Sequence, residues 1–63
     1  MSLDYWIARA MQTYGGSFVV NLGSAFIYAD PENKGRLLNA FPEIFDHYIP
    51  IAEKLKQEDD AKP

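Results

Sequence analysis

The residues best suited to chemistry in this chain are its single histidine and the carboxylates around it. His47 lies four residues after Glu43, so on a helix the two side chains would share one face. A metal site uses about three or four protein ligands, and Asp46 and Asp30 complete no spacing typical of one. General-base catalysis would need a nucleophile or an orienting acid beside His47, and no motif supplies either. We therefore expect no metal, no cofactor and no enzymatic activity.

A glycine pair at residues 15–16 precedes a predicted helix start at Ser17, an arrangement whose backbone N–H groups can hold an anion. The spacing of a phosphate-binding loop is missing, and a predicted helix stands where such loops follow a strand. Ser17 also lacks the G-x-S-x-G pattern of a nucleophile elbow. The pair is interpreted as a turn between helices, with a glycine supplying the left-handed backbone at the end of the first helix.

Size and composition restrict the chain to a small folded domain. It has 63 residues, 48% of them hydrophobic, no cysteine and a net charge of −3. A chain of this length buries only about 60% of its unfolded surface, so tight helix packing or self-association must add stability. The six basic residues are scattered among nine acids, which gives no cationic stripe for phosphates. Nucleic acid is therefore not an expected partner.

The chain shows no segment typical of membrane insertion or export. Its longest apolar run, residues 17–29, contains Asn21 and Ser24 and is shorter than a membrane span of about 18 or more residues. Asp4 stands where a signal peptide would be basic, and Arg9 interrupts any apolar region that follows. We expect a soluble, cytoplasmic protein.

Hydrophobic periodicity predicts an all-α fold, a compact bundle of three or four short helices. Ser2 is a suitable N-cap for a first helix that ends at the glycine pair. Asp30 before Pro31 predicts a helix over residues 31–40, and Pro42 predicts the start of another. Pro50 lies inside this last helix, where we expect a kink or a break near residues 48–49. The helical domain spans residues 1–56, and residues 57–63 form a disordered acidic tail.

Residues 18–28 allow two interpretations. As a helix, with Ser17 as its cap, the segment is apolar nearly all round, which is typical of a central or shared helix. As two strands with a turn at residues 22–24, it would form a hairpin and make the fold α+β. The helical stripe favours the first interpretation, in which Gly23 marks a close approach of another backbone or simply weakens the helix.

Nine aromatic residues are many for one small core. Seven large side chains fall on helical stripes and are predicted to be core: Met11, Tyr14, Phe18, Phe26, Phe41, Phe45 and Tyr48. Tyr5, Trp6 and Tyr28 align less well with a single buried face, and such rings are enriched in protein interfaces. With the apolar positions Val20 and Ile27, they form the predicted protein-binding surface.

Several short motifs suggest a relationship. Tyr14 to Phe18, Ala29 to Asn33, Arg36-Leu37 and Ala40 to Glu43 follow one another before a closing Tyr48. Over residues 5–48 this series resembles short uncharacterised proteins encoded in bacteriophage and prophage genomes. The resemblance implies a phage origin and the host cell cytoplasm as location, and it transfers no catalytic residues.

The function expected from the sequence is non-enzymatic protein binding, with partners that include a second copy of the chain, as a homodimer or larger, and a host or viral protein. A second possibility is a helix-turn-helix DNA-binding regulator that uses helices 31–40 and 43–56, although the acidic balance and the proline at their junction disfavour it. A third is an acidic inhibitor that mimics nucleic acid through the tail and Glu43, Asp46 and Glu53.

Overall fold

A computed structural model describes residues 2–62 of the chain as a helical bundle. The outermost residues of the predicted domain and tail, Met1 and Pro63, lie outside this range. The four helices found within it are α1 (Leu3–Tyr14), α2 (Ser17–Tyr28), α3 (Pro31–Ala40) and α4 (Pro42–Asp60). The all-α prediction is confirmed, and the hairpin at residues 18–28 is replaced by a helix.

Three of the helix starts follow the local signals in the sequence. The Tyr5 N–H donates to Ser2 Oγ over 3.4 Å, and the Asn33 N–H donates to the Asp30 carboxylate over 2.8 Å. Pro31 and Pro42 occupy first helical positions, where a proline wastes no hydrogen bond. Short-range chemistry therefore sets where α1, α3 and α4 begin.

The turn between α1 and α2 differs from its prediction. No residue between 2 and 62 has a positive φ, and Gly15 is extended, with φ −85° and ψ 160°. A Cβ at Gly15 would lie 2.4 Å from Val19 Cγ1 and 2.5 Å from the Met11 carbonyl oxygen. Glycine is therefore required by close contact and not by a left-handed backbone.

The N-cap of α2 also differs from its prediction. The cap is Gly16, whose backbone is extended. Its carbonyl oxygen accepts the first hydrogen bond of the helix, from the Val20 N–H over 2.9 Å. Ser17 is already the first helical residue, so its hydroxyl is not in the cap position. Within residues 2–62, no side chain caps this helix.

The core forms where α1 packs against both α2 and α4. The Phe26 and Phe45 rings meet with centroids 4.9 Å apart, which joins α2 to α4. A Cβ at Gly23 would lie 3.0 Å from Met11 Cβ and 3.3 Å from the Ala8 carbonyl oxygen, which confirms a close approach of α1 and α2 there. The buried cluster consists of Ile7, Ala10, Met11, Leu22, Phe26, Phe45, Tyr48 and Ala52.

Helix α4 is continuous through Pro50, so of the kink or break predicted near residues 48–49 the break is wrong. Pro50 is exposed, and the lost backbone bond is offset by burial of Tyr48 and Ala52 on either side of it. The helix also continues to Asp60, where the sequence predicts a tail from residue 57. Lys56 Nζ donates to the Asp60 carboxylate over 2.9 Å, an i,i+4 pair that favours helix in this last turn.

Two aromatic residues predicted to be core lie at the surface. The side chains of Tyr14 and Phe18 are 62% and 59% exposed. Tyr14 ends α1 and Phe18 lies in the first turn of α2. Side chains at the end of a helix lie beyond the central region where two helices pack together. The periodic stripe therefore overestimates burial at these two positions.

Across residues 2–62, no helix is both long enough and apolar enough to cross a membrane.

Candidate protein-binding surface

Helix α2 contains no charged residue, although one side of it faces solvent. Leu22, Gly23 and Phe26 are buried against the rest of the bundle. The opposite side exposes four residues spaced by three and four positions, so they share one face: Phe18, Asn21, Ala25 and Tyr28. We call these residues the α2 outer face. Tyr28 is 89% exposed and Phe18 59%, which leaves two aromatic side chains open to a partner.

A shallow groove of about 250 Å³ runs between α1 and α2 beside this face. We call it the α1–α2 groove. Gln12 Nε2 donates to Ser24 Oγ over 3.1 Å across it, and Ser24 Oγ donates to the Val20 carbonyl oxygen over 3.3 Å. Its lining combines aromatic, aliphatic and polar side chains: Tyr5, Ala8, Arg9, Gln12, Ser24, Ile27 and Tyr28.

Three of the five residues predicted for protein binding line this groove together. Tyr5 extends from α1, and Ile27 and Tyr28 extend from the last turn of α2. Val20 is half-buried and lies one turn before Ser24 on the same side of α2. Trp6 packs against the core cluster, and its ring meets the Tyr5 ring edge-on, with centroids 5.1 Å apart. Trp6 therefore contacts Tyr5 and the core without lining the groove.

The outer face adds residues that the sequence did not single out. Phe18 is among the residues predicted to be core, and Asn21 and Ala25 are not among those predicted for protein binding. Two features of the sequence could have indicated this face: its residues are spaced by three and four positions, and α2 contains no charged residue. Because α2 is apolar nearly all round, its sequence alone could not indicate which stripe is buried.

The chemistry-bearing residues do not converge on one another. His47, Glu43 and Asp46 are all exposed on α4, and the His47 ring contacts the Tyr48 ring edge-on, with centroids 4.8 Å apart. In the part of the chain that the structure describes, no group of three metal-ligating side chains forms. Within residues 2–62, no polar or charged side chain is buried.

The α3 and α4 pair departs from helix-turn-helix geometry. Phe41 alone links the two helices, whereas the motif uses a turn of about three or four residues. The cations of α3 are engaged by carboxylates, Lys34 with Asp4 at 2.9 Å and Arg36 with Glu32 at 3.1 Å. These pairs leave α3 poorly suited to contact phosphates.

Comparison of the chain with protein-family models, with curated proteins and with solved structures gives no match.

Proposed function

We propose that this protein acts by binding other proteins, without catalysis, through the α2 outer face and the adjoining α1–α2 groove. The partner is a second copy of the chain, a host or viral protein, or both. The observation that carries the proposal is that α2 has no charged residue and yet exposes Phe18 and Tyr28. Interfaces are depleted of charge at their centre and enriched in aromatic side chains, which is the composition of this face.

The shape of the surface also suits protein binding. Asn21 and Ala25 are small and lie between the two rings, so another backbone can approach α2 closely there. The groove beside them offers Tyr5 and Ile27 as apolar contacts and Arg9 and Gln12 as polar ones. An apolar centre with a polar rim is the usual anatomy of a specific interface.

The phage setting belongs to the same proposal. The resemblance of residues 5–48 to small phage and prophage proteins supports it, and we propose the host cytoplasm as the location of binding.

Site-specific photo-crosslinking tests the proposal. A photoreactive phenylalanine analogue replaces Tyr28 on the proposed surface in one variant and Tyr14, the other exposed tyrosine, in a matched control. Irradiation of producing cells should give one discrete adduct from position 28, at the mass of two chains or of one chain plus another protein, and much less from position 14. Absence of an adduct at position 28, or equal adducts from both positions, would contradict the proposed surface. A salt-sensitive shift of duplex DNA would favour the regulator instead.

A further inference from the structure

We propose that a second copy of this chain occupies the α2 outer face, with the two α2 helices antiparallel across a two-fold axis that crosses this face between Asn21 and Ala25, at the level of residue 23. This inference rests on the proposed function, because it names the partner for the same surface. Three features of the face carry it: the symmetry of its spacing, its lack of charge and its area.

The exposed positions of α2 are symmetric about residue 23. Phe18 and Tyr28 lie five residues on either side of it, and Asn21 and Ala25 lie two residues on either side. In an antiparallel pair centred there, Phe18 of each copy faces Tyr28 of the other, and Asn21 faces Ala25. Aromatic rings then meet at both ends, and small side chains meet in the middle. Spacings of three and four residues correspond to helix pairs that cross at about 20°.

The absence of charge favours a copy over a different partner. Across a two-fold axis, residues near the axis meet their own symmetry mates and the others meet a different residue of the same face, so a face of like charges repels itself. The exposed sides of the other helices carry such charges, for example Arg9 on α1, Arg36 on α3 and Glu53 on α4. A strongly charged partner would find no complementary group on α2, whereas another α2 finds a neutral surface like its own.

The exposed area is sufficient for a weak dimer. With about 200 Å² for a whole aromatic side chain, the exposed parts of Phe18 and Tyr28 amount to roughly 300 Å² per copy. Two copies therefore contribute roughly 600 Å² from these rings alone, and the exposed Asn21 and Ala25 add to it. Stable interfaces bury about 1,200 to 2,000 Å² in total, so we expect a dimer in reversible exchange with monomer.

Sedimentation equilibrium tests the occupant of the face. Ala25→Glu introduces a charge at the centre of the proposed contact on a helix that tolerates glutamate well. Ala61→Glu makes the same substitution at an exposed position beyond α4, and both variants have a net charge of −4. The unchanged chain and Ala61→Glu should dimerise alike, and Ala25→Glu should raise the dissociation constant about tenfold or more. Equal dissociation constants for both variants would overturn the inference.

Cysteine pairing tests the orientation, because the chain has no cysteine of its own. Asn21→Cys and Ala25→Cys chains are mixed in a glutathione buffer, and the disulfide-linked products are separated by mass. The antiparallel pair places these two positions opposite each other, so the mixed disulfide should exceed its statistical share of about one half. Excess symmetric disulfides, as a parallel pair would give, or a statistical mixture would overturn the arrangement.

The two proposals fail in different ways. A strictly monomeric chain that still crosslinks from position 28 to another protein would overturn the second copy as occupant and leave the proposed function in place. A monomeric chain without any adduct at position 28 would overturn both.

Discussion

Single glycine residues in this protein serve different purposes, which their surroundings reveal. Gly15 is closed in by Val19 and the Met11 carbonyl group, and Gly23 by Met11 and Ala8. Gly35 lies in α3 with nothing within 4 Å of a Cβ added to it. Contact, more than backbone conformation, therefore decides which glycines the fold requires.

Gly15→Ala should lower the free energy of unfolding by about 1 to 3 kcal/mol, because the new methyl group overlaps Val19 and the Met11 carbonyl. The matched control is Gly35→Ala, which should raise it by about 0.5 to 1 kcal/mol through better helix propensity. Urea denaturation followed by circular dichroism measures both. A stable Gly15→Ala variant would mean that the turn relaxes without loss of packing.

Two aromatic residues of the predicted surface should respond differently to truncation. Trp6→Ala should lower the free energy of unfolding by about 2 to 4 kcal/mol, because its ring packs against the core. Tyr28→Ala should change it by less than about 0.5 kcal/mol at concentrations where the chain is monomeric, since its side chain is exposed. The same Tyr28→Ala variant should weaken self-association in sedimentation. Equal losses of stability would contradict this division.

At the scale of elements, the prolines of α4 show how position decides their effect. Pro42 opens the helix, where no N–H is needed, and Pro50 lies in its interior. The interior proline removes the bond to the Asp46 carbonyl group, yet the helix continues because its inner face is buried on both sides of the gap. Packing thus overrides a strong local signal.

Pro50→Ala should raise the free energy of unfolding by about 1 to 3 kcal/mol, because the backbone N–H at position 50 can then donate to Asp46. Pro42→Ala is the control and should change it by less than about 0.5 kcal/mol, since a first-turn N–H has no partner within the helix. Thermal unfolding of the two variants side by side makes the comparison. If Pro50→Ala were neutral or destabilising, α4 would depend on the proline for its shape.

At the scale of the whole molecule, a small core and an uncharged helix face belong together. The chain is too short to bury α2 on all sides, so the apolar stripe left over remains at the surface. The net charge of −3 is carried by the other helices and the chain end. A dimer through α2 buries this stripe and keeps the charged surfaces in water.

This arrangement predicts a distinct response to salt. The proposed interface contains no ion pairs, so raising the salt from about 50 mM to about 500 mM should leave the dissociation constant of the proposed dimer unchanged or lower it slightly, as repulsion between the two acidic copies is screened. Sedimentation equilibrium at both concentrations measures the effect. Dissociation at high salt would indicate an interface made by charged residues on another helix.

The amino-acid sequence by itself determined three of the helices and where they begin, whereas residues 18–28 stayed open between a helix and a hairpin. Ser2, Asp30, Pro31 and Pro42 act on the backbone within a few residues, so their effect is readable without knowledge of the fold. Gly23 had two interpretations, a close approach of another backbone or a weakened helix, and its contacts with Met11 and Ala8 decided between them.

Only the tertiary structure decided which aromatic residues are buried and which face of α2 is free. Tyr14 and Phe18 fit helical stripes and are exposed, whereas Trp6 fits less well and packs against the core. When a helix is apolar nearly all round, its hydrophobic pattern does not determine which side faces the core. That orientation follows from the packing of α1 against α2 and α4 and from the glycine contacts that bring α1 and α2 together, which depend on residues distant in the chain.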